Sequence, residues 1–331
     1  MAKITVVMPA YNAAKYIKEA IDSVLNQTFL DWELVIVDDC STDSTYSIIL
    51  QYELQDSRIR VYQMPQNSGS AFSPRKKAVS EATSEWISSL DADDYYEPYF
   101  LEKLYNRILE TKADIVVQRM ICITDGGEVI DTIPKTNFDI SQILTGEEAC
   151  MLTINGWDIG CNAVHRTVYE KVWARYHDSY IGMNADELLT RKRLLCADKV
   201  AFSDGKYFYR KNMQSITNSF STKLFDILQT NILLKDIIVQ HFGEISSESI
   251  KMEQQMFGGV LSCAVLYCNY RCNIPIAERN IIRNKLKQSW TNLDWACLKS
   301  YLPFWRYFLF HVNFEMMMFL IEIYQYAKRK K

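Results

Sequence analysis

The sequence predicts an α/β protein in which a parallel sheet carries helices on both faces, followed by a helical appendage. In the first 110 residues, short β-branched and apolar runs alternate with segments whose apolar residues recur at helical spacing. This alternation is typical of parallel sheets covered by helices. After about residue 210, only the helical spacing continues. At 331 residues the chain also exceeds one ordinary domain, so a core domain with an appendage is expected.

Four apolar runs in the first part of the chain are predicted strands. They are Ile4 to Met8, Leu34 to Val37, Ile59 to Tyr62, and Trp86 to Leu90. Their β-branched and aromatic content favours strands, and the segments between them have helical periodicity. The first helix is predicted from Ala13 to Gln27, with Asn12 as its cap. The second is expected to be capped by Ser41 or Thr42.

Polar residues follow three of these strands. They are Pro9-Ala10-Tyr11-Asn12 after the first, Asp38-Asp39 at the end of the second, and Asp91, Asp93 and Asp94 after the fourth. Because the carboxyl ends of parallel strands lie at one edge, we expect these groups to line one ligand-binding crevice. Neighbouring carboxylates raise one another's pKa, and a divalent cation bridging to phosphates would compensate. Acidic turns that begin the next helices are the alternative explanation.

The chain from residue 98 to residue 210 continues the pattern. The expected elements are a helix from Pro98 to Thr111, a strand at Ile115 to Val117, a hairpin from Ile121 to Pro134, helices from Gly146 to Ile154 and Thr167 to Ala174, and a last strand at Lys206 to Arg210. Another helix begins near Asp186 and Glu187. Since a helix dipole favours acids in its first turn, both have a structural explanation that needs no catalysis.

Charge and cysteine content narrow the classes of function. A net charge of −3 argues against a nucleic-acid-binding surface and leaves sugar or nucleotide ligands open. The nine cysteines lack a framework spacing, and residues 1–20 lack the apolar segment of a secretory signal, which fits a reducing cytosol. Cys263, Cys268 and Cys272 lie near one helical face beside apolar residues. Core packing is favoured there over zinc, because no histidine has ligand spacing.

The region from residue 219 to residue 331 is predicted to be helical. Its last part, residues 301–331, is dense in aromatic and aliphatic residues, but no charge-free run reaches about 18 residues, so a spanning helix is not expected. The basic run Lys328-Arg329-Lys330-Lys331 would suit anionic lipid headgroups. An interfacial helix on the cytoplasmic leaflet and a packed helix with a solvated basic tail are both consistent with this pattern.

The assembled motifs resemble those of the family 2 glycosyltransferases with the GT-A fold, from residue 3 to about residue 218. They are Val7-Met8-Pro9-Ala10-Tyr11-Asn12, Ser23 to Thr28, Val37-Asp38-Asp39-Cys40-Ser41-Thr42-Asp43, Asn67-Ser68-Gly69, Leu90-Asp91-Ala92-Asp93-Asp94, and Tyr209-Arg210 through Thr217. The resemblance implies a doubly wound mixed sheet. It also implies a nucleotide-binding half, residues 1–97, and an acceptor half, residues 98–218.

The same resemblance implies roles for individual residues. Nucleotide contacts would come from Pro9, Ala10, Tyr11, Asn12, Asp39 and Asp91, the last of them beside the ribose. Asp93 would ligate Mn²⁺ or Mg²⁺, and Asp186 would be the catalytic base. Two departures stand out: Ala185 replaces the usual Glu before the base, which makes Glu187 the alternative base. In addition, the usual Ala-Arg-Asn reads Ser73-Pro74-Arg75, which moves the basic residue by one position and makes Arg75 the matching candidate for a nucleotide contact.

The function implied is an inverting, metal-dependent hexosyl- or N-acetylhexosaminyl-transferase. It would move a sugar from a nucleotide donor, with UDP favoured, to a hydroxyl of a glycan or lipid-linked acceptor in bacterial surface polysaccharide synthesis. The expected location is the cytoplasm, peripheral on the inner face of the plasma membrane. A sugar nucleotidyltransferase is disfavoured, because residues 9–16 contain no Gly to cradle a triphosphate. An inactive scaffold is the remaining alternative.

Overall fold

A computed structural model describes residues 2–133, 139–154, 160–176, 185–211, 220–311 and 313–329. Contacts divide the chain into two compact units. Unit 1 comprises Met1–Ile181 and Leu189–Met213, and unit 2 comprises Gly182–Leu188 and Gln214–Lys331. The domain boundary expected after residue 218 lies outside the described residues and stays a prediction.

The strands of unit 1 form one ten-stranded sheet within the described part of the chain. They are β1 (Ile4–Ala10), β2 (Trp32–Asp38), β3 (Ile59–Gln63), β4 (Trp86–Ser89), β5 (Tyr95–Tyr96), β6 (Ile115–Ile123), β7 (Val129–Ile133), β8 (Ile143–Leu144), β9 (Cys161–His165) and β10 (Val200–Arg210). The main order is β3-β2-β1-β4-β9-β6-β10-β5, with β7 on β6 and β8 on β10.

The sheet is mixed. Strands β1 to β4 pair in parallel, as their sequence pattern predicts, and β10 is parallel to β6. The short β9 is antiparallel to both β4 and β6, so it joins the two parallel parts. The sequence does not predict β9, because a five-residue strand that contains Asn162 and His165 lacks a clear alternation of apolar and polar residues. The predicted hairpin is confirmed as β6 and β7.

Helices cover this sheet. They are α1 (Ile17–Leu25), α2 (Thr45–Gln55), α3 (Phe72–Glu81), α4 (Phe100–Thr111), α5 (Gly146–Ile154) and α6 (Arg166–Arg175), and they are followed by α7 (Ala185–Leu195), which spans the division between the units. Both β1 and β2 are buried along their whole length, which explains their continuous apolar runs. The core joins them to Ile17 and Ile21 of α1 and to Phe100 and Leu104 of α4.

Two predicted helix caps were wrong. Helix α1 begins at Ile17, not Ala13, and Asn12 lies before it with φ 47°. Helix α2 begins at Thr45, whose N–H donates to Asp43 at 2.9 Å. Asn12 and Ser41 hydrogen-bond to each other's loops instead, because both loops leave the same sheet edge and meet there.

Unit 2 is built mainly of helices after residue 220. They are α8 (Ile227–Phe242), α9 (Ser247–Tyr270), α10 (Ile276–Thr291), α11 (Trp295–Tyr301), α12 (Phe304–His311) and α13 (Phe314–Arg329), with 3-10 turns at Thr222–Asp226 and Arg271–Asn273. Their core includes Phe225, Val260 and Met317, and also Cys263, with Cys268 packed against it, as predicted. Cys272 is exposed, so the prediction of core packing was wrong for this residue. Within the described ranges, no helix is both long and apolar enough to cross a bilayer.

Candidate active site

Three predicted loops meet at the carboxyl edge of the parallel strands. Ala10 of β1 pairs with Asp38 of β2, and Val7 pairs with Ser89 of β4. The register therefore places the residues after β1, β2 and β4 at one edge, as the sequence predicted. The N–H of Asp39 donates to the Ala10 carbonyl at 2.8 Å and extends this pairing beyond the strands.

The loops after β1 and β2 hold each other through Asn12. Its side-chain oxygen accepts from the Thr42 N–H at 2.8 Å, and its own N–H donates to the Ser41 hydroxyl at 3.0 Å. Asn12 has φ 47° and Cys40 has φ 61°, left-handed conformations that Asn tolerates better than most residues. Asn12 thus shapes the loop, while the neighbouring Tyr11 is exposed beside it.

Asp39 is buried beneath the Asn67-Ser68-Gly69 turn. Its carboxylate accepts from the Ser68 N–H at 3.0 and 3.1 Å, from the Ser68 hydroxyl at 2.9 Å and from the Asn67 amide at 3.1 Å. Gly69 lies in the left-handed region, with φ 80°, which glycine adopts without strain. Asp39 therefore contacts the turn through its carboxylate and the start of the Pro9-Ala10-Tyr11 loop through its N–H.

The residue after β4 pairs with a cation from α3. Asp91 Oδ1 accepts from Arg75 Nη2 at 2.6 Å, and the Arg75 side chain is more buried than the carboxylate. In the sequence, Arg75 is displaced by one position from the usual pattern. The structure brings Arg75 directly to Asp91, so the displaced arginine still reaches this edge.

The next two acids have different surroundings. Burial and the nearby Asp91 raise the pKa of Asp93 to about 6, although the positive charge of Arg210 opposes the shift. Burial and the neighbouring Asp93 and Asp91 also raise the pKa of Asp94 well above its ordinary value. Asp94 is fixed on both oxygens, because it accepts from the Tyr207 hydroxyl at 2.7 Å and from the Arg210 N–H at 2.7 Å.

Strand β10 supports the acidic turn through residues to which our sequence reading gave no role. The Tyr207 hydroxyl accepts from the Asp91 N–H at 3.1 Å while it donates to Asp94. Arg210 Nε donates to the Asp93 carbonyl at 3.0 Å, and its Nη2 donates to Glu19 at 2.5 Å. The sequence singles out Tyr209-Arg210 only as part of a motif and carries no signal that pairs this strand with the acidic turn.

The donor set fits a divalent cation that is held jointly with a ligand. In the part of the chain that the structure describes, no three His, Cys, Asp or Glu side chains form a complete cage. The Asp93 carboxylate receives no hydrogen bond from another described residue, whereas the Asp91 carboxylate is paired with Arg75 and the Asp94 carboxylate accepts a hydrogen bond on each oxygen. Mg²⁺ and similar hard ions commonly use one or two carboxylates together with phosphate oxygens and water. Asp93 suits that role.

The two acids predicted as catalytic candidates open helix α7. Asp186 and Glu187 are both exposed in its first turn, whereas Ala185 and Leu188 on either side are buried. This pattern leaves both carboxylates accessible to a ligand. The choice of base between them stays a prediction.

A small open pocket, with a cavity volume of about 20 Å³, adjoins Arg75 within unit 1. It is lined by Phe72, Arg75, Lys76, Val79, Tyr169, Trp173 and Leu189. Strand β9 runs antiparallel to β4 and ends beside the start of β4. Helix α6 follows β9, so it begins at the sheet edge opposite to Asp91, and Trp173 lies near its far end. Since Arg75 contacts both the pocket and Asp91, the pocket lies next to the acidic turn.

Replacing Tyr207 with phenylalanine should loosen that turn. The change leaves the Asp91 N–H and one oxygen of buried Asp94 without their partner, which should cost about 1–3 kcal/mol of stability. Thermal unfolding measures this loss. Tyr209→Phe on the same strand is the matched control, since no described residue hydrogen-bonds to its hydroxyl. Equal melting temperatures for the two variants would show that the Tyr207 hydroxyl does not support the turn.

Comparison with known proteins identifies the family. The model of glycosyl transferase family 2 matches residues 5–173. Glycosyltransferase GlyG of Streptococcus pneumoniae is 28% identical over 219 residues, which cover 64% of this chain and 72% of GlyG. The poly(ribitol-phosphate) beta-N-acetylglucosaminyltransferase TarS of Staphylococcus aureus is 27% identical over 259 residues, 75% of this chain but only 44% of TarS.

The fold also matches a solved structure. Residues 1–349 of TarS in complex with UDP-GlcNAc superpose with a TM-score of 0.73 at 21% identity, covering 99% of this chain and 92% of that one. The likeness confirms the GT-A fold and the helical region that follows it. With the family model covering half of the sequence and the strand-end motifs brought to one edge, the chain belongs to glycosyltransferase family 2.

Proposed function

We propose that this protein transfers a sugar from a UDP-sugar to a hydroxyl of a bacterial surface glycan or lipid-linked glycan, with inversion at the anomeric carbon. The observation that carries the proposal is the convergence of Asp39, Asp91 and Asp93 at one sheet edge, next to the Pro9-Ala10-Tyr11 loop. TarS, named for transfer of N-acetylglucosamine and solved with UDP-GlcNAc, supports the choice of donor.

The donor nucleotide would lie between the Pro9-Ala10-Tyr11 loop and the Asn67-Ser68-Gly69 turn. Asp39 holds that turn through four short hydrogen-bond contacts and so fixes the width of the slot. Exposed Tyr11 offers a ring against the uracil face, and Asp91, oriented by Arg75, would meet the ribose. Because the bonds to Asp39 and Asp91 already exist, little reorganisation is needed when the donor binds.

The diphosphate would lie above Asp93. A Mn²⁺ or Mg²⁺ ion held there by Asp93 and the phosphate oxygens would stabilise the charge of the departing UDP. Asp94, Tyr207 and Arg210 keep the turn rigid, so that the Asp93 carboxylate stays aimed at the ligand.

The reaction would be a single displacement. The acceptor oxygen attacks the anomeric carbon, the bond from that carbon to the phosphate oxygen breaks, and UDP leaves with the bonding electrons. Asp186 accepts the hydroxyl proton as the new bond forms, a role usually worth about 10²–10⁴-fold in rate. One carboxylate suffices, because the diphosphate leaves without protonation.

The acceptor would approach through the pocket beside Arg75. Trp173 and Phe72 offer flat apolar faces to a sugar ring, and Lys76 supplies positive charge for acceptors that carry phosphate. Location supports this assignment, because Arg75 links the pocket to Asp91 at the donor edge.

Replacing Trp173 with alanine should therefore affect the acceptor and not the donor. We expect the acceptor KM to rise about tenfold, because one ring contact is lost, and the rate of donor hydrolysis to stay unchanged. Trp173→Phe keeps a ring and should recover most of the affinity. Steady-state kinetics with a ribitol phosphate oligomer as acceptor measure both constants. A KM change confined to the UDP-sugar would contradict the assignment.

A nucleotide-sugar screen tests the proposed function. The full chain is incubated with UDP-, GDP-, dTDP- and CMP-sugars, with Mn²⁺ or with EDTA, and nucleotide release is recorded. Release of UDP from one UDP-sugar, only in the presence of the cation, is the expected result. Release of pyrophosphate from a nucleoside triphosphate and a sugar phosphate would instead indicate a nucleotidyltransferase, and no turnover of any donor would support the inactive scaffold.

We also propose that the enzyme works at the cytoplasmic face of the membrane, where a lipid-linked acceptor would be presented. Support comes from the C-terminal helices α12 and α13, which expose several aromatic side chains, among them Phe304, Phe308 and Phe319.

A further inference from the structure

Helix α13 has two apolar faces. The inner face packs into the core of unit 2 through Phe314, Met317, Met318 and Ile321. The outer face consists of Met316, Phe319, Ile323 and Tyr326, which are 45%, 60%, 49% and 62% exposed. At about 100° per residue, these four side chains fall within about 80° of the helix circumference, on the side away from the inner face. Folding of unit 2 therefore buries the inner face of α13 and leaves the outer face largely exposed.

The outer face carries no charge, and the acids beside it form ion pairs. None of its four residues is charged, and the two acids that flank it are each paired. Glu315 forms an ion pair with Arg283, and Glu322 is 3.3 Å from Arg271. Pairing offsets negative charge that would otherwise be repelled by an anionic surface. A row of exposed apolar side chains with neutralised flanks is unusual for a helix that faces only water.

Helix α12, which precedes α13, also exposes aromatic side chains. Phe304 and Phe308 are exposed one turn apart, with ring centroids 6.4 Å apart, and the exposed Arg306 lies between them in sequence. At the other end, α13 reaches exposed Lys328, and the sequence continues with Arg329, Lys330 and Lys331, of which the last two lie outside the described residues. Aromatic side chains next to clustered cations are typical of helices that lie in a membrane interface.

We infer that the outer face of α13 lies in the headgroup region of an anionic membrane, with its axis parallel to the surface. The stripe from Met316 to Tyr326 is about 15 Å long, and its side chains would reach the acyl boundary, while the positive charge of the sequence 328–331 would attract anionic headgroups. This location rests on the proposed function for its biological purpose. Membrane binding through α13 would hold the enzyme beside a lipid-linked acceptor.

A vesicle flotation assay with the full chain tests the inference. One set of vesicles mixes phosphatidylglycerol with phosphatidylcholine, and the other is phosphatidylcholine alone. We expect binding to the anionic set that weakens with salt. The double variant Phe319→Ser/Ile323→Ser should lower the partition coefficient at least tenfold, because two large apolar side chains are lost from the interface. Replacing residues 328–331 with glutamine should abolish the preference for anionic vesicles.

Ile245→Ser is the matched control, since Ile245 is 93% exposed in the same unit but lies outside α12 and α13. It should bind vesicles like the wild type. Circular dichroism and donor hydrolysis should be unchanged in every variant, which separates this inference from the proposed function. Equal vesicle binding by the double variant and the wild type would overturn the inference. So would a wild-type dimer that becomes monomeric in the double variant without any vesicle binding, since the face would then join two copies.

Discussion

Replacing Asp186 with asparagine should lower the rate of sugar transfer by about 10²–10⁴-fold while donor binding survives. Asparagine keeps the size and much of the hydrogen bonding of the side chain but cannot accept the acceptor's proton. Because Asp186 is exposed at the start of α7, the change should leave the fold intact. Single-turnover kinetics of transfer, together with calorimetry of UDP binding, separate the two effects.

Glu187→Gln is the matched control for that variant. Successive residues of a helix point about 100° apart, so only one of the two acids can face the anomeric carbon. We expect Glu187→Gln to retain most of the transfer rate. If Glu187→Gln is inactive and Asp186→Asn is active, the alignment across Ala185 is shifted by one residue and Glu187 is the base.

Replacing Asp93 with alanine should abolish turnover and remove the effect of Mn²⁺ on nucleotide binding. No other described residue hydrogen-bonds to the Asp93 carboxylate, so its loss should remove a metal ligand without breaking a side-chain network. UDP affinity measured by calorimetry in EDTA should match that of the wild type, whereas the gain on adding Mn²⁺ should disappear.

Asp198→Ala is a suitable control, because Asp198 is exposed and forms a surface ion pair with Lys171 at 3.3 Å. Its removal should change neither turnover nor nucleotide affinity. An equal loss of UDP affinity by Asp93→Ala in EDTA and in Mn²⁺ would mean that Asp93 contacts the nucleotide directly, and the metal role would have to move to another acid.

Much of the fold follows from local pattern. Strands β1 and β2 are buried along their whole length and are mostly apolar, and helix α4 carries an apolar stripe, so these elements are visible in the sequence. Strand β9 was missed because its pairing is set by neighbours that are far away in sequence. Helix starts were misplaced because Asn12 bonds to the neighbouring loop and not to its own helix.

In the candidate site, too, some features follow from the sequence and others do not. The acids at the strand ends could be found in the sequence, because topology alone brings strand ends together. The partners of those acids could not, since the contacts of Arg75 with Asp91 and of Tyr207 with Asp94 join residues 16 and 113 positions apart. Hydrophobic periodicity carries no information about such long-range pairs. The sequence also could not assign different surroundings to Asp93 and Asp94, which depend on Tyr207 and Arg210.

The central claim is that the carboxyl edge of the sheet binds a uridine nucleotide together with a divalent cation. Calorimetric titration of the wild-type chain with UDP, in Mn²⁺ and in EDTA and in parallel with GDP and ADP, tests it most directly. We predict saturable binding of UDP that tightens when Mn²⁺ is present and at least tenfold weaker binding of the purine nucleotides. Absence of UDP binding in Mn²⁺, or equal affinity for all three nucleotides with no effect of the cation, would contradict the claim.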